Sequence, residues 1–172
     1  FGWVWLGDFY PGGAWFCDLS QAISIDGIVE AVARALDVPL GRADPVVQLG
    51  HAIAGRGRCL VILDNFEQVA RHAEQTVGRW LEAAPEAAFV VTTREVLGIR
   101  GEEIMALPPL PPRDAVELFV RRAQAAAQDF ARKPGDERTL ETLTELLDGM
   151  PLAIELAAAR VRLMPPAALL SR

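Results

Sequence analysis

The chain has 172 residues, of which 51% are apolar and 23% charged. That length amounts to one domain, or a small domain with part of another, and the composition excludes a disordered chain. Seventeen basic against 23 acidic side chains leave a formal charge of −6. Direct nucleic-acid contact is therefore not expected, because phosphate neutralisation needs a basic face. No apolar run approaches the ~18 residues of a membrane span, so no membrane partner is expected. Cys17 and Cys59 make no disulfide scaffold, and a reducing cytoplasm is the expected location. The chain starts at Phe1 without a basic leader and stops at Arg172 within what reads as a further helix. It reads as a fragment of a longer product.

Phe1, Trp3 and Trp5 alternate with Gly2, Val4 and Leu6, a strand-like pattern expected to pair with the sheet. Pro11-Gly12-Gly13 is a turn, and residues 14–19 read as a short buried strand. Ile28, Val32 and Ala35 fall at helical spacing within a helix from Asp26 to Asp37. A second helix runs from about Asp44 to Ala54, with Pro45 in its first turn. Cys59-Leu60-Val61-Ile62-Leu63 is a continuous apolar run ending in Asp64-Asn65, which suits a central strand covered on both faces. Phe66 to Ala84 reads as one helix, residues 88–93 as a second buried strand, and residues 104–107 as a third. Strands alternating with helices point to a parallel α/β sheet.

The pattern changes at Pro108-Pro109-Leu110-Pro111-Pro112, a stiff extended connector. Beyond it the sequence predicts only helices, over about 114–128, 138–147 and 152–163, with a loop at Lys133-Pro134-Gly135-Asp136. The chain thus divides into an α/β part, 1–109, and an all-helical part, 110–172.

Several residues are placed to carry chemistry. An acid at the C-terminal end of a parallel strand, such as Asp64, faces the crevice where open α/β sheets bind ligands. It could hold Mg²⁺ through water beside phosphates, or simply cap the next helix. Arg94, after the strand FVVTT, could reach a terminal phosphate in bidentate geometry, or pair at the surface with Glu95 or Asp64. Gly149-Met150-Pro151-Leu152 could let the backbone approach a flat ligand such as adenine, or be a plain helix-starting turn. His51 and His72 stand alone in predicted helices and read as structural. No Ser-His-Asp set, G-x-S-x-G elbow or G-x-G-x-x-G after a strand is present, which counts against a hydrolase or a Rossmann-type enzyme.

In order and spacing, PGGAWFCDLS at 11–20, CLVILDNFEQV at 59–69, FVVTTREVLGIRGEE at 89–103, LPPLPPRDAVELFVRRA at 107–123 and LDGMPLAIELAAARVRLM at 147–164 resemble the nucleotide-binding region of the STAND-type ATPases. This is the AP-ATPase or NB-ARC family, in the form found in bacterial LuxR-type and antibiotic-regulatory transcription factors. The resemblance implies a partial P-loop NTPase-like parallel sheet with flanking helices, followed by a helical lid. It implies that Asp64 is the Walker B acid positioning Mg²⁺ and that Asn65 stands where relatives carry a catalytic acid. An amide cannot act as a general base, so hydrolysis is expected to be poor. Arg94 resembles the sensor of the terminal phosphate, and Gly149, Met150 and Pro151 match a motif that closes over the nucleotide base.

The phosphate loop G-x-x-x-x-G-K-[ST] has no match: Gly12-Gly13 lacks the lysine, and Lys133 lies far downstream. Without that cradle the β and γ phosphates lose their main hold. ATP, ADP and Mg²⁺ are therefore expected as ligands of the intact parent protein, whose other domains would be partners, and not of this fragment alone. The competing expectation is a non-catalytic interaction piece, open to self-association.

Overall fold

The structure is a computed structural model that describes residues 7–127, 130–131 and 135–171. The Trp3/Trp5 segment and Lys133 lie outside the described residues. Two compact units divide the chain, Phe1–Ile104 and Met105–Arg172.

The first unit is built on three parallel strands in the order β1-β2-β3: β1 (Ala14–Asp18), β2 (Leu60–Asp64) and β3 (Ala88–Val91). The apolar run 59–63 becomes the central strand because both its edges are paired. Phe16 lies opposite Ile62 and Ile62 opposite Val90, while Asp18 lies opposite Asp64. Helices α1 (Ile25–Leu36) and α2 (Pro45–Ala54) connect β1 to β2. Helix α1 starts at Ser24, whose side chain accepts Gly27 N–H, and α2 starts at Asp44, which accepts the N–H groups of Val46 and Val47.

The expected single helix after β2 is instead three pieces: a 3₁₀ stretch (Phe66–His72), a π turn (Glu74–Gly78) and α3 (Arg79–Ala83). Phe66, Val69, Ala73 and Val77 recur at steps of three and four, as in any amphipathic helix, so the apolar pattern does not tell the 3₁₀ and π pieces from an α-helix. All four residues, with Trp80, stay on the core side and are essentially inaccessible. Trp80 donates from Nε1 to Val46 O at 2.9 Å and stacks on Phe89 at 6.4 Å between ring centroids. It thereby ties α3 to α2 and to the sheet.

One face of the sheet carries Trp15, Cys17, Val61, Leu63, Phe89 and Val91 into this core. Burial there pushes the Cys17 thiol up to about 12, so it stays a neutral apolar packing group. The opposite face shows Phe16 at 56% and Val90 at 50% exposure, flanking Ile62.

The strand expected at 104–107 is absent: the described sheet ends at β3, and Ile104, Met105 and Leu107 are exposed. Apolar character alone made that segment strand-like, but the prolines after it supply no N–H for a ladder. The backbone instead pairs once, Leu110 N–H donating to Gly149 O at 2.9 Å.

The second unit packs α4 (Pro112–Ala126), α5 (Asp136–Leu146), α6 (Pro151–Ala159) and α7 (Pro166–Leu170) around Phe119, Leu140 and Ile154. Asp148 and Gly149 both take left-handed backbone after α5. A Cβ on Gly149 would stand 2.6 Å from Leu110 O, so only glycine fits where the connector crosses.

Replacing Trp80 by Phe keeps a stacked ring but removes the indole's bond to Val46 O and part of the buried ring volume. Urea unfolding should show a loss of about 1–3 kcal/mol. Gly149→Ala meets both the left-handed backbone and the Leu110 carbonyl, and should cost on the order of 2 kcal/mol or more, read as a lower thermal midpoint. Asp44 feels a burial penalty that raises its pKa, but hydrogen bonds from Val47, Arg79 and Val46 outweigh it and hold the carboxyl below its ordinary value. A carboxyl lowered by folding stabilises above its unfolded pKa and loses that contribution as pH falls through the folded one. The stability gap between wild type and Asp44→Ala should therefore be full at neutral pH and shrink in acid below the usual carboxylate range.

Candidate functional site at the strand ends

The C-terminal ends of three parallel strands converge on one edge of the first unit, and the candidate residues Asp64, Asn65 and Arg94 all belong to it. Asp64 is the last residue of β2 and half-buried. Its Oδ1 accepts from Thr92 Oγ1 at 2.5 Å and its Oδ2 from Asn65 Nδ2 at 3.3 Å. Its carbonyl accepts Leu19 N–H at 2.9 Å, which stitches the end of β1 to β2.

Asn65 takes left-handed backbone, φ 62° and ψ 43°, a conformation asparagine tolerates better than most residues. That turn directs its side-chain amide back across the edge, where Nδ2 also lies 3.4 Å from Asp18 Oδ1. The amide is therefore occupied as a donor to two carboxylates. Asp18 is not among the residues the sequence singles out. It stands opposite Asp64 in the strand register, and the Ser20 backbone N–H at 2.8 Å, with smaller help from the Ser20 hydroxyl and Asn65, holds its carboxyl below the ordinary range. The available signal was positional: two apolar strands, AWFC and LVIL, each ending in Asp.

Arg94 follows β3. Its side chain is 89% exposed, with Nε 3.9 Å from Glu67 Oε1. At that distance and exposure the pair holds the guanidinium weakly, which leaves it able to turn toward an anion. The chain after it is fixed more firmly: Glu102 accepts the N–H groups of Leu97 and Gly98 at 2.9 and 2.7 Å, and Ile99 is buried.

Two side-by-side carboxylates, with neutral amide and hydroxyl donors filling only part of their lone-pair capacity, form an oxygen-donor set for a hard cation. Among the described residues no group of three or more His, Cys, Asp or Glu is gathered for a metal. Any cation here would take its other ligands from water or a bound anion.

In the second unit, Met150 is extended and half exposed, and Pro151 opens α6 at its first position, where a missing N–H costs nothing. Beside them a shallow cavity of about 200 Å³ is lined by Leu110, Pro112, Ala115, Thr144, Glu145, Asp148 and Gly149. The space above Gly149 that could admit a ligand is taken by the Leu110 backbone.

No helix among the described residues is long and apolar enough to cross a membrane. No protein-family model matches the chain. It is similar to the uncharacterized protein Rv0894 of Mycobacterium tuberculosis, 32% identical over 160 residues, which is 92% of this chain and 41% of that protein. It is also similar to a protein provisionally named HTH-type transcriptional regulator Rv0890c of the same organism, 36% identical over 156 residues, 90% of this chain and 18% of that protein. The Mycobacterium bovis protein Mb0914c carries the same provisional regulator name and matches equally. The chain thus spans less than half the length of the curated relatives it matches.

Proposed function

We propose that residues 1–172 form the magnesium-carboxylate and lid portion of an ATP/ADP-dependent switch within a regulator of transcription. The observation that carries this reading is the edge itself: Asp64 ends the central parallel strand, Asp18 stands beside it in register, and Arg94 follows the next strand. Ligands of open α/β sheets bind at such an edge. The strand-end blocks resemble a P-loop NTPase of the NB-ARC kind, and the regulator names of the matched relatives supply the biological setting.

In this reading Asp64, with Asp18, would hold Mg²⁺ through its water shell, and the ion would neutralise phosphate charge. Arg94 would take the terminal phosphate, and Gly149, Met150 and Pro151 would belong to the lid over the base. Asn65 keeps the carboxylates in place and offers no base for water attack, so the output is a shift of population between nucleotide states and not rapid turnover. The phosphate loop is not among these residues. The grip on the β and γ phosphates would come from elsewhere in a longer polypeptide.

The exposed Phe16–Ile62–Val90 face favours a second reading, an interaction module that keeps the fold without nucleotide.

Calorimetry with Mg-ATP and Mg-ADP separates the two. The 172-residue chain should bind either nucleotide more weakly than about 1 mM, some 4 kcal/mol. In a longer polypeptide that supplies a phosphate loop, binding should become micromolar, and Asp64→Ala or Arg94→Ala should erode discrimination between ATP and ADP. Micromolar binding by the short chain would refute the importance of the loop. Unchanged discrimination in both variants would remove Asp64 and Arg94 from the mechanism.

A further inference from the structure

A threonine hydroxyl sits at the centre of the strand-end hydrogen bonds. Thr92 directly follows β3. Its Oγ1 donates to Asp64 Oδ1 at 2.5 Å and accepts Asn65 N–H at 3.1 Å. Its backbone closes the same junction, since Thr92 N–H donates to Leu63 O at 3.0 Å and Phe66 N–H donates to Thr92 O at 3.0 Å. One residue of the third strand's end is thus bonded to every residue from Leu63 to Phe66.

We propose that Thr92 is the positioning residue of this edge. Its hydroxyl fixes the direction of the Asp64 carboxylate, and by accepting Asn65 N–H it holds the left-handed turn that brings the Asn65 amide to Asp64 and Asp18. A carboxylate at an exposed strand end otherwise turns freely about its side-chain torsions. A hydroxyl-to-carboxylate bond is charge-assisted and among the stronger ones available to it. Each Asp64 oxygen engages one donor, from Thr92 or from Asn65, and keeps a lone pair for a cation or its water. Thr92 therefore orients the acid without occupying it. The positioning stands on these bonds alone; only its effect on metal rests on the proposed role of Asp64.

The test uses the full 172-residue chain with Thr92→Val, which removes the hydroxyl at nearly constant shape, Thr92→Ser, which keeps it, Asp64→Ala, and the Thr92→Val/Asp64→Ala double variant. In urea unfolding, Thr92 and Asp64 should be coupled by about tenfold in the unfolding constant, and Thr92→Ser should retain most of the wild-type value. Additive effects would overturn the proposal. Should Thr92→Val fail to fold, the wild-type Thr92 hydroxyl proton serves instead: slow exchange in a cold NMR sample supports the bond, and exchange as fast as a free hydroxyl's overturns it.

Mn²⁺ alone is the metal probe, read as paramagnetic broadening of the Asp18 and Asp64 amide signals. Thr92→Val should need several-fold more Mn²⁺ than wild type, and Thr92→Ser should restore the response. Equal broadening in wild type and Thr92→Val would overturn the positioning role. Absent broadening in every form, with the coupling intact, would support the positioning of Asp64 and overturn its reading as a metal ligand.

Discussion

Chain direction and handedness govern this sheet. Parallel strands must be joined by crossovers, and crossovers between parallel strands are right-handed almost without exception. With the strands stepping in one direction, β1 to β2 to β3, every crossover falls on the same side. The helical cover, Trp80 included, therefore lies over the face of Trp15, Val61 and Phe89, while among the described residues Phe16 and Val90 on the other face stay half exposed. The same constraint aligns all three strand C-termini at one edge. That alignment sets Asp18 beside Asp64 and brings Thr92 within reach of both Asp64 and Asn65.

The parts of the fold set by apolar periodicity were readable from the residues. The run CLVILD gave the central strand, and Ile28, Val32 and Ala35, with Val29 and Leu36 on the flank, gave the first helix, because apolar side chains recur where an element faces a core. The errors arose where periodicity is a poor guide. Residues 104–107 are apolar but have no partner strand, and a strand exists only through its partner. The stretch from Phe66 to Gly78 has the three- and four-residue steps of an ordinary amphipathic helix, and apolar periodicity does not distinguish its 3₁₀ and π turns from regular α. Neither distinction can be drawn without knowing what lies opposite each residue.

The candidate site divides along the same line. Asp64 was legible because an acid ending an apolar strand is a local pattern. Asp18 and Thr92 were not singled out, because their significance lies in register: nothing near Asp18 in sequence announces that Asp64 stands beside it. Asn65 changes character once its bonds are seen, from a substitute for a catalytic acid to a donor shared by two carboxylates. Gly149 shows the opposite lesson. Its place before Pro151 left open a backbone approach to a ligand or a plain helix-starting turn, and the Leu110 carbonyl stands 2.6 Å from where its Cβ would be. A glycine reports close approach by something, and only coordinates say by what.

Among the described residues, the half-exposed Phe16 and Val90, on either side of Ile62, have a practical consequence for anyone following this chain with a solvatochromic dye. Such dyes brighten on accessible greasy surface, so the native protein itself would fluoresce at the outset. A melt tracked that way would begin from a high baseline and misplace the transition. The indole of Trp80, bonded to α2 and stacked on the sheet, is one of four in the chain, and with the other three replaced by phenylalanine it would report the loss of packing directly.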